Sequence, residues 1–574
     1  MAQHGLGYDF RNQSYLITIM IDGLTVSHNL HPGLTKRQIK QHDKNNMKKI
    51  AIIGAGRAGL VSAKYAVENG LEPIIFERTD QIGGLWSRGN GTHIWEGLFS
   101  NISKYTMMFH DHPWPKSIPI FPEAKEVQEY LISYAKKFDL QKHIHFNVRV
   151  DKVKQLSDKK WELNILDLKK NSRQTLIFDF LVVASGLHSK PRIPNIQNSS
   201  QFNGIQIHSS SFSLKDPQFK NKNVVVVGCS LSGTEISASL VGHAKSVTNV
   251  FPRTYLITPR LIKFKTCPGP EFKILPVDVG LNRRSFNFGN SSINKEELEQ
   301  QQINMLYQIF PYQTDKTKSH PDLFIDLKIP NQVLLKSISD YYIQHVQENK
   351  IRPVKTKIKS FNENSVILEN GEEILADAII YCTGYELVTD FFDSDILKTL
   401  KFDNEQNYKF SVILYKCAFH PDLENLAFVG QTEGSYFTGD ELIASWACRI
   451  FTGKTKLPQR EAMIKEIEIE EKRRGENIRL QYTHGSHAIL IEKLAKASGQ
   501  MPDIEHIRKT DPVLYDILWD TAVTSNHFFL NENYMDILNE IKEMNKRNFA
   551  LEKNWNDITL EDLKGYTINY YTIY

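Results

Sequence analysis

Two short, unbroken apolar runs, each leading into a glycine-rich turn and then a helix, constrain this chain more than any other feature. In the first, Ile50-Ala51-Ile52-Ile53 enters Gly54-Ala55-Gly56-Arg57-Ala58-Gly59. A helical stretch from Arg57 to Glu68 follows and ends at Asn69-Gly70, and then comes a strand from Glu72 to Phe76 that closes with Glu77. An apolar run of that kind suits a strand buried on both faces of a parallel sheet. Strand, turn, helix and strand over about 30 residues make a βαβ unit. The second run, Val224-Val225-Val226-Val227, enters Gly228-x-Ser230-x-Ser232-Gly233-Thr234-Glu235, continues as a helix through Leu240 and reaches a strand from Ser246 to Phe251. Two such units predict two separate dinucleotide-binding folds rather than a solenoid.

Each turn carries its own chemistry. Gly54 permits the tight bend, Gly56 lets backbone approach a pyrophosphate, and Gly59 lets helix and strand pack closely. The helix N-terminus adds N–H groups and a partial positive charge. Ala55, Arg57 and Ala58 fill the rest of the turn. Glu77, ending the second strand, accepts hydrogen bonds from ribose hydroxyls and repels a 2′-phosphate, so the first unit suits FAD or NAD. In the second unit Gly228, Gly233, Thr234 and Glu235 repeat the turn, with Ser230 and Ser232 as extra phosphate donors. Its second strand ends in Phe251-Pro252-Arg253. A guanidinium there pairs with a 2′-phosphate and favours NADP, although a solvated surface arginine is the plainer reading.

Composition excludes several classes. Seventy basic and 66 acidic residues give a net charge of +4 and no nucleic-acid footprint. Cys229, Cys267, Cys382, Cys417 and Cys448 are odd in number and contain no CxxC pair, which suits free thiols in a reducing compartment, the cytoplasm. The missing pair also opposes a dithiol oxidoreductase. His110-x-His112 and His143-x-His145 lack a third ligand of suitable spacing, so no metal site is expected. A hydrolase is unsupported without a GxSxG elbow. Ser14 to Val26 is apolar, but Asp22 interrupts it and it is too short to span a bilayer. Residues 1–46 therefore read as an extension outside the catalytic fold, and no membrane anchor is expected.

Between the two units lies Phe202-x-Gly204-x-x-x-His208-x-x-x-Phe212, which resembles the FxGxxxHxxxF/Y signature of the flavin-containing monooxygenases. Other segments resemble that family in order: Gly83-Gly84-Leu85-Trp86, then Leu98-Phe99-Ser100-Asn101-x-Ser103-Lys104 with Asp111-x-Pro113-x-Pro115. Tyr381-Cys382-Thr383-Gly384-Tyr385, Phe428-Val429-Gly430-Gln431, the stretch from Glu441 to Arg449, Asp511-Pro512 and Asn526-His527-Phe528 complete the likeness, over about residues 48–550. Arg57, Ala58 and Cys382 depart from the usual residues, and the apolar C-terminal anchor of microsomal members is missing, which implies a soluble enzyme.

The resemblance implies an α/β chain of two nested Rossmann-like domains with a mostly helical C-terminal region. FAD binding is expected over 47–200 and 371–457, NADP binding over 201–370, and helices over 458–574. Gly84, Leu85, Trp86, Ser100, Asn101 and Gln431 would join the first turn and Glu77 around FAD. Phe202, Gly204, His208, Phe212, Thr383 and Gly384 would serve as linkers. NADPH would reduce FAD, dioxygen would form a flavin 4a-hydroperoxide, and an amine nitrogen or sulfide sulfur of a small molecule would take one oxygen atom. Asn101, through its amide donor, is the catalytic candidate. Baeyer–Villiger oxygenases, which usually carry tryptophan where Phe212 stands, are the neighbouring alternative, and a non-catalytic FAD-binding protein is another. The expected partners are the substrate and dioxygen, with no nucleic acid; homo-oligomerisation stays open.

Overall fold

The computed structural model describes residues 47–542 apart from 88–93, 96, 266–271, 279–282, 284–299, 301, 302, 305, 308, 330–333, 403–410, 433–435, 477–486, 531–534, 540 and 541. It also gives the backbone of 4–9, 14–21 and 24–30. The strands His4–Asp9, Ser14–Ile21 and Leu24–Leu30 form a three-stranded antiparallel sheet that precedes the main fold in the chain.

Both glycine units sit in five-stranded parallel sheets of the same plan. The first is ordered Leu426–Phe428, Phe180–Val183, Lys49–Ile53, Glu72–Glu77, Ile144–Phe146. The second is ordered Ile205–His208, Ala378–Tyr381, Asn223–Val227, Ser246–Phe251, Ile351–Lys355. Parallel strands need crossovers on the sheet faces, which is why their residues are apolar without alternation. Ile50, Ala51, Ile52 and Val226 are accordingly fully buried. In each sheet a three-stranded antiparallel meander precedes the strand that returns beside the glycine strand: Val148–Gln155, Trp161–Asp167 and Ser172–Phe178 in the first, and Ile358–Asn362, Ser365–Leu368 and Glu373–Leu375 in the second.

The chain passes between the sheets twice, and the two passages lie side by side, with Lys190–Pro191 antiparallel to Tyr385–Glu386. Ala378–Tyr381 pairs inside the second sheet, and Tyr385–Glu386 follows it in the returning passage.

The helix Tyr436–Phe451 shares a core with the first glycine helix, Arg57–Glu68, whose Ala58, Ala63 and Ala66 are buried in it. Met463, Ile467, Leu490, Ile491, Leu494, Leu514 and Ile517, from helices beyond Pro458, enlarge the same core. Asp511 begins the helix Pro512–Asp520 by accepting the Leu514 N–H at 2.9 Å, with Pro512 at its first position. Two local readings change. The apolar spacing over 334–348 reads as a helix, whereas the chain there forms the short strand Lys336–Ile338 followed by the helix Tyr342–Gln347. Ser337 and Asp340 there bond Thr234 and Arg260, and tertiary bonds outweigh local propensity. The stretch from 263 to 328 reads from its residues as irregular, whereas a hairpin, Leu261–Lys265 with Phe272–Pro276, runs into it. No helix among the described residues is long and apolar enough to cross a membrane.

Candidate functional site

The first turn is built as tightly as backbone allows. Gly54 has φ +106°, and a Cβ there would lie 2.6 Å from the Ala184 carbonyl oxygen; a Cβ on Gly59 would lie 1.9 Å from the Gly54 carbonyl oxygen. Glycine at both positions is what lets return strand, turn and helix cross. The Gly83-Gly84 turn then lies against the phosphate loop, so that a Cβ on Gly84 would be 3.0 Å from Gly56 Cα. These elements border a cleft of about 640 Å³, lined among others by Gly54, Gly56, Arg57, Ala58, Gly84, Leu85 and Trp86, together with Glu77 and Ser185. That volume is within the range of small-molecule sites.

Glu77 is buried and held in place by the Ala55 N–H at 2.8 Å and by the Thr79 N–H and hydroxyl at 2.9 and 2.8 Å. Arg57 Nε stands 2.9 Å from Asp440 Oδ2 on the closing helix. Burial pushes the Asp440 carboxyl up to about 6, against the pull of Arg57. Gln431 is 3% exposed, yet among the described residues neither its amide nitrogen nor its oxygen has a partner. An orphaned buried amide asks for a ligand or water. Together with the cleft that Gly56 and Gly84 line without side chains, it fits FAD.

The second turn repeats the construction. Gly228 has φ +109°, with a Cβ position 2.5 Å from the Cys382 carbonyl oxygen, and a Cβ on Gly233 would lie 2.0 Å from the Gly228 carbonyl oxygen. Ser230 stands at the helix N-cap and Ser232 is half-buried in the first turn. Thr234 and Glu235 turn inward: Thr234 Oγ1 lies 2.8 Å from Ser337 Oγ, and Glu235 pairs with Arg260 at 2.9 Å. Arg253 is exposed beside a separate cavity of about 350 Å³ that Lys355 also lines. Lys355 ends the neighbouring strand, opposite Phe251. Sequence reasoning missed this second cation because only the strand order brings it near Arg253.

The signature segment joins the two folds. Phe202 packs on Phe361, and a Cβ on Gly204 would lie 2.5 Å from the Asp377 carbonyl oxygen. His208 Nδ1 accepts the Ser210 N–H at 3.1 Å, which leaves Nε2–H to donate to the Gly384 carbonyl at 3.0 Å. Thr383 donates its hydroxyl to the Arg192 carbonyl, and the Arg192 N–H donates to Gly384 at 3.0 Å. Phe212 meets Trp95 edge-on at 5.7 Å. His208 thus fastens the signature segment to the returning passage, while the Thr383 and Arg192 bonds fasten that passage to the outgoing one.

Asn101 lies half-buried on a loop secured by the Ser100 N–H donating to Pro122 and the Lys104 N–H donating to Ile120. Ser100, Asn101 and Gln431 fall outside the lining of the large cleft, which follows the phosphate turn and Glu77. His110 and His112 do not converge: His110 Nδ1 is 2.7 Å from Glu441, whereas His112 Nε2 is 2.7 Å from Ser133 Oγ. Asp111 beside His110 already holds the Lys64 ammonium at 2.8 Å.

Two glycine cradles on twin parallel sheets, joined by two crossing passages, are the frame of a flavoprotein that serves two dinucleotides. A model of the flavin-binding monooxygenase-like family matches residues 47–533. Human flavin-containing monooxygenase 5 is 31% identical over 497 residues, 81% of this chain and 86% of that protein. The N-oxide-forming dimethylaniline monooxygenase 2 of Mus musculus is 31% identical over 492 residues, 81% of this chain and 85% of that protein. The fold matches S-allyl-L-cysteine S-oxygenase from Allium sativum with a TM-score of 0.58 at 22% identity, covering 87% of this chain and 99% of that one. The chain belongs to the flavin-binding monooxygenase-like family. It is an FAD- and NADPH-dependent monooxygenase that acts on a small molecule with dioxygen.

Proposed function

We propose that the enzyme transfers one oxygen atom of dioxygen to an amine nitrogen or a sulfide sulfur, the other atom leaving as water at the expense of NADPH. The observation that carries this reading is the pair of complete glycine cradles, one beside a buried glutamate and the other in a sheet whose next two strands end near Arg253 and at Lys355. The names of the relatives, one N-oxide-forming and one an S-oxygenase, support the choice of soft nucleophiles. FAD would be held by Gly54, Ala55, Gly56, Arg57, Ala58, Gly59, Glu77, Gly84, Leu85, Trp86, Ser100, Asn101 and Gln431. NADP would be held by Gly228, Ser230, Ser232, Gly233 and Arg253, with Thr234 and Glu235 supporting the turn from behind.

Bound flavin supplies the hydride acceptor and the activation of dioxygen. The protein's part is to bind, to orient and to keep water out. Asn101 offers an amide donor without an exchangeable acid, which stabilises an anionic oxygen without protonating it, and no side chain need remove a proton from an amine or sulfide. The free thiols Cys229, Cys382, Cys417 and Cys448 support a reducing compartment, the cytoplasm.

The test is turnover of purified protein with NADPH and labelled dioxygen against a tertiary amine, a thioether and a cyclic ketone. Label in the N-oxide or sulfoxide is the expected result. Conversion of the ketone alone to its ester would overturn the assignment.

A further inference from the structure

The buried Arg260 and Asp278 flank the hairpin Leu261–Lys265/Phe272–Pro276. The Val277 N–H donates to the Arg260 carbonyl at 2.8 Å, so both side chains leave from the same end. Each grips the Asn101 loop, on opposite sides of Asn101. Arg260 Nε donates to the Ser100 carbonyl at 3.0 Å. Asp278 accepts the Ser103 N–H at 3.1 Å, the Ser103 hydroxyl at 2.7 Å and the Thr106 hydroxyl at 2.7 Å. The remaining guanidinium nitrogens face the second fold: Nη1 pairs with Asp340 and Nη2 with Glu235 at 2.9 Å. Glu235 rides on the helix whose N-terminus forms the second cradle. Burial opposes the charge on Arg260, but Glu235 and Asp340 outweigh it and hold the guanidinium charged.

We propose that Arg260 and Asp278 are positioning residues through which the NADP fold sets the peptide carrying Asn101, so that occupancy of the second cradle tightens that peptide. The inference rests on the role given to Asn101 above. A donor aimed at a reacting atom has to be held within about 0.5 Å of its productive place. Fixing the carbonyl before Asn101 and the amide two residues after it leaves that peptide little freedom. Planarity matters too: a guanidinium serves three differently placed acceptors at once, which an ammonium does not.

The experiment compares wild type, Arg260→Lys, Asp278→Asn, Asn101→Ala and the Arg260→Lys/Asn101→Ala double variant. FAD content, NADP⁺ affinity by calorimetry and the share of NADPH oxidation released as hydrogen peroxide are read for each. Arg260→Lys should keep FAD, bind NADP⁺ within about threefold of wild type, and raise the peroxide share about fivefold, toward that of Asn101→Ala. The double variant should be no worse than Asn101→Ala, because residues acting through one group are non-additive. Hydrogen exchange supplies a readout independent of turnover. In wild type, NADP⁺ should slow exchange of the amides from Asn101 to Thr106, and in Asp278→Asn that protection should shrink. A coupled Arg260→Lys enzyme beside an uncoupled Asn101→Ala enzyme would overturn the clamp alone. A coupled Asn101→Ala enzyme would overturn the catalytic assignment and the clamp with it. Loop exchange indifferent to NADP⁺ would also overturn the clamp, even should the Arg260 variant fail to fold.

Discussion

Replacing Arg253 and Lys355 by alanine, singly and together, tests whether the second cradle reads a 2′-phosphate. Both side chains are exposed and border one cavity of about 350 Å³ at the ends of adjacent strands. A charge-assisted hydrogen bond to phosphate contributes about 1.5–3 kcal/mol when well shielded. Exposure and salt screening pull each contact here toward about 1.4 kcal/mol, a factor of ten. Each single substitution should therefore raise KM for NADPH about tenfold and the double about a hundredfold, with kcat little changed. NADH has no 2′-phosphate, so its kinetics should not move, and the preference for NADPH should fall by those same factors. The assay is steady-state oxidation of both nucleotides at two ionic strengths, and the penalty should shrink at high salt. Equal losses for NADH and NADPH would refute the reasoning, since they would show that the two cations support the fold rather than the phosphate.

Other consequences follow from the same geometry. Gly59→Ala places a carbon 1.9 Å from a carbonyl oxygen, and Gly233→Ala places one at 2.0 Å. Each should cost about 1–3 kcal/mol of stability by overpacking, but the first should lose FAD and the second NADP⁺ affinity, read by absorbance and calorimetry. Asn101→Ala should retain FAD and oxidise NADPH while releasing hydrogen peroxide in place of product; wild-type coupling would rule it out as the catalytic donor. His110 titrates higher than an ordinary histidine: burial opposes its charge, but the Glu441 carboxylate at 2.7 Å prevails. A raised folded-state value means that this stabilisation is complete below pH 6.5 and is lost as pH climbs through the folded-state value. The difference in melting temperature between wild type and His110→Gln should therefore narrow above pH 6.5, and a gap that widens would contradict the ion pair.

Both cradles were readable in the chain because their chemistry is local. An unbroken apolar run, a glycine where φ must be positive and a glycine where helix meets turn all lie within about ten residues. The meanders were not readable as such: Arg149 and Asp151 alternate with Val148 and Val150 in a pattern that fits many exposed strands. Local reading also failed at Ser337 and Asp340, where the apolar spacing suggested helix but bonds to Thr234 and Arg260 decide the backbone. Lys355 and Arg260 carry no signal of their own. Asp340 lies 80 residues from Arg260, and Ser103 lies 175 residues from Asp278. Pairings at such distances follow from topology, which a single sequence does not print.

The twin plan of the sheets explains how one chain separates two similar ligands. Strand order, meander and return strand correspond, and in both folds the return strand's exit carbonyl, Ala184 or Cys382, closes over the first glycine. A shared scaffold cannot by itself discriminate FAD from NADPH. We propose that discrimination falls to the end of the second strand, where Glu77 is buried and locked to the Ala55 and Thr79 amides while Arg253 stands exposed and lines one cavity with Lys355. A buried carboxylate strongly disfavours a dianionic 2′-phosphate, and a pair of cations invites one. The two folds are joined where Lys190–Pro191 crosses Tyr385–Glu386, with His208 bonded to the Gly384 carbonyl beside that crossing. Specificity is thus a difference of charge at equivalent positions, while the encounter between the two cofactors depends on the linkers.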